Sequence, residues 1–238
     1  MSTILQVQGL TRRFGGLTAV NTVSIDLRIG EVHAVIGTNG AGKSTLINML
    51  SGEIASSEGR IQLSGADVTR QPQPRRALSG IGRSYQRTTI FPEFTVHENC
   101  RLTAQARNPR PWALWESARK CDASVQAANA ALEATGLAPA ANRLAGTLSH
   151  GAKRQLEVAM CLATQPRVLL LDEPRAGLGA EETDRMLALL ERLKPGHASL
   201  LVEHTEQALV MEKGQIVLAG DSASLLADPH ALSERLGV

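Results

Sequence analysis

With 238 residues the chain can bury one sizeable core, so a single domain with sub-lobes is expected rather than two independent domains. Its composition, 43% hydrophobic and 20% charged, is that of an ordinary soluble protein, and a net charge of +2 gives no argument for nucleic acid as a partner. Cys100, Cys121 and Cys161 form neither a metal-ligand pattern nor a disulfide framework, which fits idle thiols in a reducing, cytosolic compartment. The first residues do not read as a signal peptide, and no apolar run approaches the roughly 18 residues of a membrane span. Any work at a membrane is expected from its aqueous side.

Residues 3–9 and 23–29 alternate between apolar and polar, as antiparallel strands with one wet face do. Phe14 precedes Gly15 and Gly16 at a turn. Its ring suits either minor core filling or a platform for a nucleotide base. A short apolar run at 32–36 then breaks at Gly37, and a helical pattern begins near Lys43. Between them lies Gly37-x-x-x-x-Gly42-Lys43-Ser44, the spacing of a phosphate-cradling loop. Glycines let the backbone curl until successive N–H groups point into one concavity. The helix that follows adds its unsatisfied N–H groups and positive dipole end. Lys43 can reach terminal phosphates, and the Ser44 hydroxyl can ligate Mg²⁺.

Residues 59–65 read as a strand between glycines, and Pro72 and Pro74 are expected to mark a loop. Residues 81–86 read as a strand ending in Gln86, whose amide has a role only if it faces the phosphates. The alanine-rich stretches 96–106 and 115–135 carry helical spacing and predict a helical subdomain inserted into an αβ core. Trp112 and Trp115 sit at its first loop, with packing as the expected role.

Ser149 and Gly151 fall where a helix should begin. Ser is a good N-cap, and a helix start with a small residue can bind an anion, although a plain capped helix explains the stretch equally. The run 168–171 is short and wholly apolar, as in a buried parallel strand, and ends in Asp172-Glu173-Pro174. Ligands of open αβ sheets bind beyond the carboxyl ends of strands, where these acids lie. Asp172 suits a Mg²⁺ shell, and Glu173 suits a base toward an attacking water. Residues 199–203 form a second such strand with His204 at its end. A hairpin around Lys213-Gly214 and a short helical tail at 222–237 close the chain.

The ordered set of phosphate loop, Gln86, Ser149-x-Gly151, Leu169-Leu-Leu-Asp172-Glu173-Pro174 and His204 resembles the ATP-binding-cassette ATPases. Within them, residues 14–20 and 81–99 are similar to cassettes of branched-chain or hydrophobic amino-acid importers, and Leu148-Ser-His-Gly151 also to urea-importer cassettes. The resemblance implies an α/β fold: a P-loop NTPase (RecA-like) core with an N-terminal antiparallel β subdomain (1–92 and 146–238) and an inserted helical subdomain (93–145). It implies ATP and Mg²⁺ as cofactors and stacks adenine on Phe14. Gly37, Thr38, Asn39, Gly40, Ala41, Gly42, Lys43, Ser44 and Thr45 then hold phosphates.

Further along the chain, Gln86 would sense the γ-phosphate, contribute to the Mg²⁺ shell with Ser44 and Asp172, and couple to the membrane subunit. Glu173 would polarise the attacking water, and His204 would contact the γ-phosphate. Ser149 and Gly151 would close over nucleotide held by a second cassette, arranged head to tail. Implied partners are that second cassette, membrane permease subunits and, indirectly, a periplasmic binding protein, with the chain peripheral on the cytoplasmic face. Three departures stand out: Ala152 where the family signature carries Gln, Gly179-Ala180 where an Asp is usual, and a short segment after His204. They leave a second reading, a dimerising module with weak hydrolysis.

Overall fold

The computed structural model describes residues 3–85, 89–107, 121–202 and 207–221. Gln86, His204, Trp112, Trp115 and the expected tail at 222–237 lie outside the described residues. In chain order the elements are β1 (Thr3–Phe14), β2 (Leu17–Arg28), β3 (Val32–Ile36), α1 (Lys43–Ser51), β4 (Glu58–Leu63), β5 (Ala66–Asp67), α2 (Gln73–Ser79) and β6 (Ile81–Arg83). There follow α3 (Val96–Arg107), α4 (Asp122–Thr135), α5 (His150–Ala163), β7 (Val168–Asp172), α6 (Ala180–Leu193), β8 (Ala198–Val202), β9 (Gln207–Glu212) and β10 (Gln215–Asp221). The chain divides into two compact units, residues 1–81, 167–173 and 194–238 forming one, and residues 82–166 and 174–193 the other.

The first unit holds two sheets. One is antiparallel, in the order β2-β1-β4-β5, and its alternation is visible in β2, where Val23, Ile25 and Leu27 are buried while Ser24, Asp26 and Arg28 are exposed. The other runs β10-β9-β3-β8-β7, with β6 beyond β7. Strands β9 and β8 lie parallel to β3 on its two sides, and β7 lies parallel to β8. Every residue of β7 and β8 is buried, which is why both read as unbroken apolar runs rather than alternating ones. Strand order therefore brings the loop after β3 and the acids at the end of β7 to one carboxyl edge, about 10 Å apart at two strand spacings. β8 lies between them.

Two features stand out. Pro72 and Pro74 flank a helix start instead of a loop: α2 begins at Gln73 with Pro74 in its first turn, where a missing N–H costs nothing. From this helix the buried Arg76 guanidinium donates to the carbonyls of Met49 (2.6 Å) and Leu50 (3.0 Å) at the end of α1, and to Thr69 (2.7 Å) and Gln71 (2.9 Å). A cation thus satisfies carbonyls that α1 leaves open, at the negative end of its dipole. The second feature is the connection between β8 and β9. Both strands run parallel to β3, yet only residues 203–206 join them, where parallel crossovers ordinarily take a dozen or more.

In the second unit α3, α4 and α5 pack on one another, with Ala104, Ala128 and Ala131 buried as small contact residues. Cys100 and Cys161 are free and buried, and burial pushes both thiols up to about 12. Helix α6 was not among the expected elements. Met186, Leu189, Leu190 and Leu193 form its buried stripe at helical spacing, with Glu181 and Glu182 in its first turn. Among the described residues no helix is long and apolar enough to cross a membrane.

Candidate functional site

The loop between β3 and α1 needs its glycines for stated steric reasons. A Cβ on Gly37 would collide with the Met211 carbonyl, and one on Gly42 with the Ala19 carbonyl. Gly42 also has φ +101°, a conformation that side chains resist. The curl is closed by hydrogen bonds from Ala41 N–H to Thr38 O (3.1 Å) and from Leu46 N–H to Gly42 O (2.8 Å). The β9–β10 turn braces it from behind, Gly214 N–H donating to Ala41 O at 3.0 Å. Lys43 Nζ donates to the carbonyls of Gly37 (2.6 Å) and Thr38 (3.0 Å), so the ammonium is held over the loop. Helix α1 has no acidic residue in its first turn and no side-chain cap, which leaves its positive end to an anion from outside.

Helix α1 packs against β7, the strand that ends in Asp172. Asp172 is 5% exposed, and Glu173 follows it with φ +49°. A non-glycine residue in that region costs on the order of 1–3 kcal/mol and concentrates at functional sites. The Ser44 hydroxyl and the Asp172 carboxylate are the hard oxygen donors that suit Mg²⁺. Phe14, at the end of β1, is 43% exposed, and the Arg12 guanidinium lies 4.5 Å from its ring centroid. That exposure removes the core-filling role, and the guanidinium lies over the ring as a cation on an aromatic face. Arg12 was not anticipated, although Arg12 and Phe14 stand two apart on one strand.

In the second unit Ser149 caps α5, its Oγ accepting from Ala152 N–H at 3.2 Å. Gly151 N–H donates to Glu182 Oε1 at 3.1 Å, and Ser149 Oγ donates to the same oxygen at 3.4 Å. His150 lies against Gly177, in the turn that precedes α6. One turn further along α5, the buried Arg154 and Glu157 pair at 2.9 Å. Arg154 also donates to Tyr85 O (3.1 Å), and Glu157 accepts from Thr89 N–H (3.1 Å). The two charges thereby pin the described residues on either side of the segment 86–88 that contains Gln86. Burial raises the Glu157 pKa against the opposing pull of Arg154. Phe91 and Phe94 nearby are 49% and 41% exposed, their rings stacked at 5.6 Å, with Leu144 also exposed.

The structure thus brings Phe14, Gly37 to Thr45, Asp172 and Glu173 into one unit, and Ser149 and Gly151 into the other. Arg154, Glu157 and Glu182 were missed in the sequence, where each reads as an ordinary helical charge.

A family described as "ABC transporter" matches residues 20–176. The chain is 39% identical over 233 residues to the high-affinity branched-chain amino acid transport ATP-binding protein BraF of Pseudomonas aeruginosa, covering 93% of this chain and 90% of the relative. It is 36% identical to the corresponding protein LivG of Salmonella typhimurium, covering 98% of both. That alignment spans 251 positions against 238 residues here, so the relative carries at least 13 residues that this chain lacks. Among solved structures, an ATP-binding cassette of an ABC transporter in its ADP conformation superposes with a TM-score of 0.85 at 29% identity, covering all of both chains.

Proposed function

The chain belongs to the ABC transporter family, and from that premise we propose that it is the ATP-hydrolysing subunit of an importer, driving permease subunits that are separate chains. The observation that carries this reading is the sheet order, which delivers the Gly37–Thr45 loop and the Asp172-Glu173 pair to one edge. The adenine stacks on Phe14, with Arg12 at the ring. The triphosphate lies in the concavity of the loop, its charge facing the N–H groups and dipole of α1. Lys43 exchanges its carbonyl partners for phosphate oxygens. Ser44 and Asp172, with Gln86, would hold Mg²⁺, which when bound would neutralise charge on the phosphates. Glu173 orients and deprotonates a water that attacks the γ-phosphorus; the bond to the β-phosphate oxygen breaks, giving ADP and phosphate. His204 contacts the γ-phosphate.

Ser149 and Gly151 serve the nucleotide of a facing cassette, so each site is completed by a second copy or a sister chain. The Phe91-Phe94-Leu144 patch is an apolar surface of the kind that docks a partner, and it supports a permease contact on the second unit. The names of the relatives support branched-chain amino acids as the cargo, with urea or an amide as the alternative drawn from His150.

Two measurements test the reading. Lys43→Ala should abolish ATP binding by calorimetry, and unchanged affinity would overturn the site. Wild-type protein, assembled with its permease, should release phosphate far faster than Glu173→Gln, and equal rates would leave only a dimerising module.

A further inference from the structure

On the reading that Ser149 and Gly151 receive the γ-phosphate of a facing cassette, we propose that Glu182 is a built-in competitor for that phosphate, held on the same two donors until nucleotide displaces it. Glu182 Oε1 sits 3.1 Å from Gly151 N and 3.4 Å from Ser149 Oγ. A helix start is ordinarily served by an acid in its own first turn, and α5 has none. Helix α6 has two, and they part company: Glu181 pairs with Arg185 on its own helix, while Glu182 turns to the start of α5. The fit is close. A Cβ at position 151 would overlap the Glu182 carboxylate, so the bare glycine is what admits the anion.

The same bareness would admit a phosphate oxygen, but not both anions together. A carboxylate and a phosphate sharing two donors repel strongly in a closed, water-poor interface. Closure over nucleotide therefore requires Glu182 to swing out, and its half-buried side chain has solvent on one side. His150 against Gly177 holds the turn before α6 on the same helix start. Glu182 acts as a positioning residue of the open state and takes no part in bond making.

The test uses Glu173→Gln protein with Mg²⁺-ATP, together with whatever sister cassette co-purifies, with and without Glu182→Gln. Sedimentation follows dimer formation, and calorimetry follows ATP binding to the undimerised cassette. The amide keeps the side-chain size and removes the charge. Half-maximal dimerisation should require roughly threefold to tenfold less ATP in the double variant, from the loss of one charged ligand at a helix start, with binding to the undimerised cassette unchanged. Glu182→Ala should shift dimerisation in the same direction, which keeps the test open if one variant folds poorly. An unchanged or increased ATP requirement overturns the role of Glu182 and leaves the paired-cassette reading standing. Absence of any ATP-driven dimer from Glu173→Gln protein overturns that reading, and this proposal with it.

Discussion

Glu157 and Arg154 illustrate a pair whose worth is positional. Burying two charges is costly, and removing one leaves the other uncompensated, a loss of about 3–5 kcal/mol in measured cases. Burial of Glu157 outweighs the pull of Arg154, so its pKa is raised above that of the unfolded chain. The folded state then binds this proton more readily than the unfolded state does, and the slope of stability with pH is negative across that interval. Compared with Glu157→Gln, the wild type should gain stability as pH falls through the raised value, levelling off below the ordinary glutamate pKa. Urea unfolding at several pH values checks this, and a difference that moves the other way would refute the assignment. Neither residue was legible in the sequence: at spacing i, i+3 they look like a surface ion pair, and only burial shows them holding Tyr85 O and Thr89 N–H. Glu173 was legible by contrast, because an acid after an unbroken apolar run has few structural reasons to exist.

Among the elements, strands were easier to read than helices. The runs now seen as β3, β7 and β8 announced themselves by length and apolar content, and their order fixes the edge on which the site forms. Helix α2 was hidden by Pro72 and Pro74, residues that break a helix in its interior but are tolerated in its first turn. Helix α6 has a regular apolar stripe but follows Pro174, Gly177 and Gly179, which punctuate the chain as a loop does. The joint between α1 and α2 also lies beyond sequence reasoning, since Arg76 reaches back 26 and 27 residues to Leu50 and Met49. Arg76→Met should cost about 3 kcal/mol or more, because carbonyls deprived of a charged donor bear much of their desolvation penalty. Urea unfolding measures the loss, and a cost below 1 kcal/mol would show that water replaces the guanidinium. The four-residue link between β8 and β9 was visible in the sequence as a shortage of chain after His204.

At the scale of the whole molecule, the core is aliphatic. The buried cluster of the first unit consists of leucine, isoleucine, valine, methionine and alanine, and all three phenylalanines are exposed. Phe91→Ala with Phe94→Ala should therefore cost little stability, while lowering permease-stimulated hydrolysis toward the isolated cassette's own rate. Reconstitution with the permease checks it, and unchanged coupling would move the docking surface elsewhere. The fold was largely readable because an αβ sheet advertises its strands and its phosphate loop in adjacent residues. The surroundings of Ser149 and Gly151 were not, because their stretch reads equally as a plain capped helix until Glu182 is seen on the same two donors. The placement of Phe14, Phe91 and Phe94 also has a spectroscopic consequence. Apart from Trp112 and Trp115, outside the described residues, the ring absorbance of this chain comes from these exposed rings and from Tyr85, whose carbonyl accepts from Arg154. The phenylalanine fine structure of the near-ultraviolet dichroism should thus be insensitive to loosening of the core and report on the surface of the protein instead.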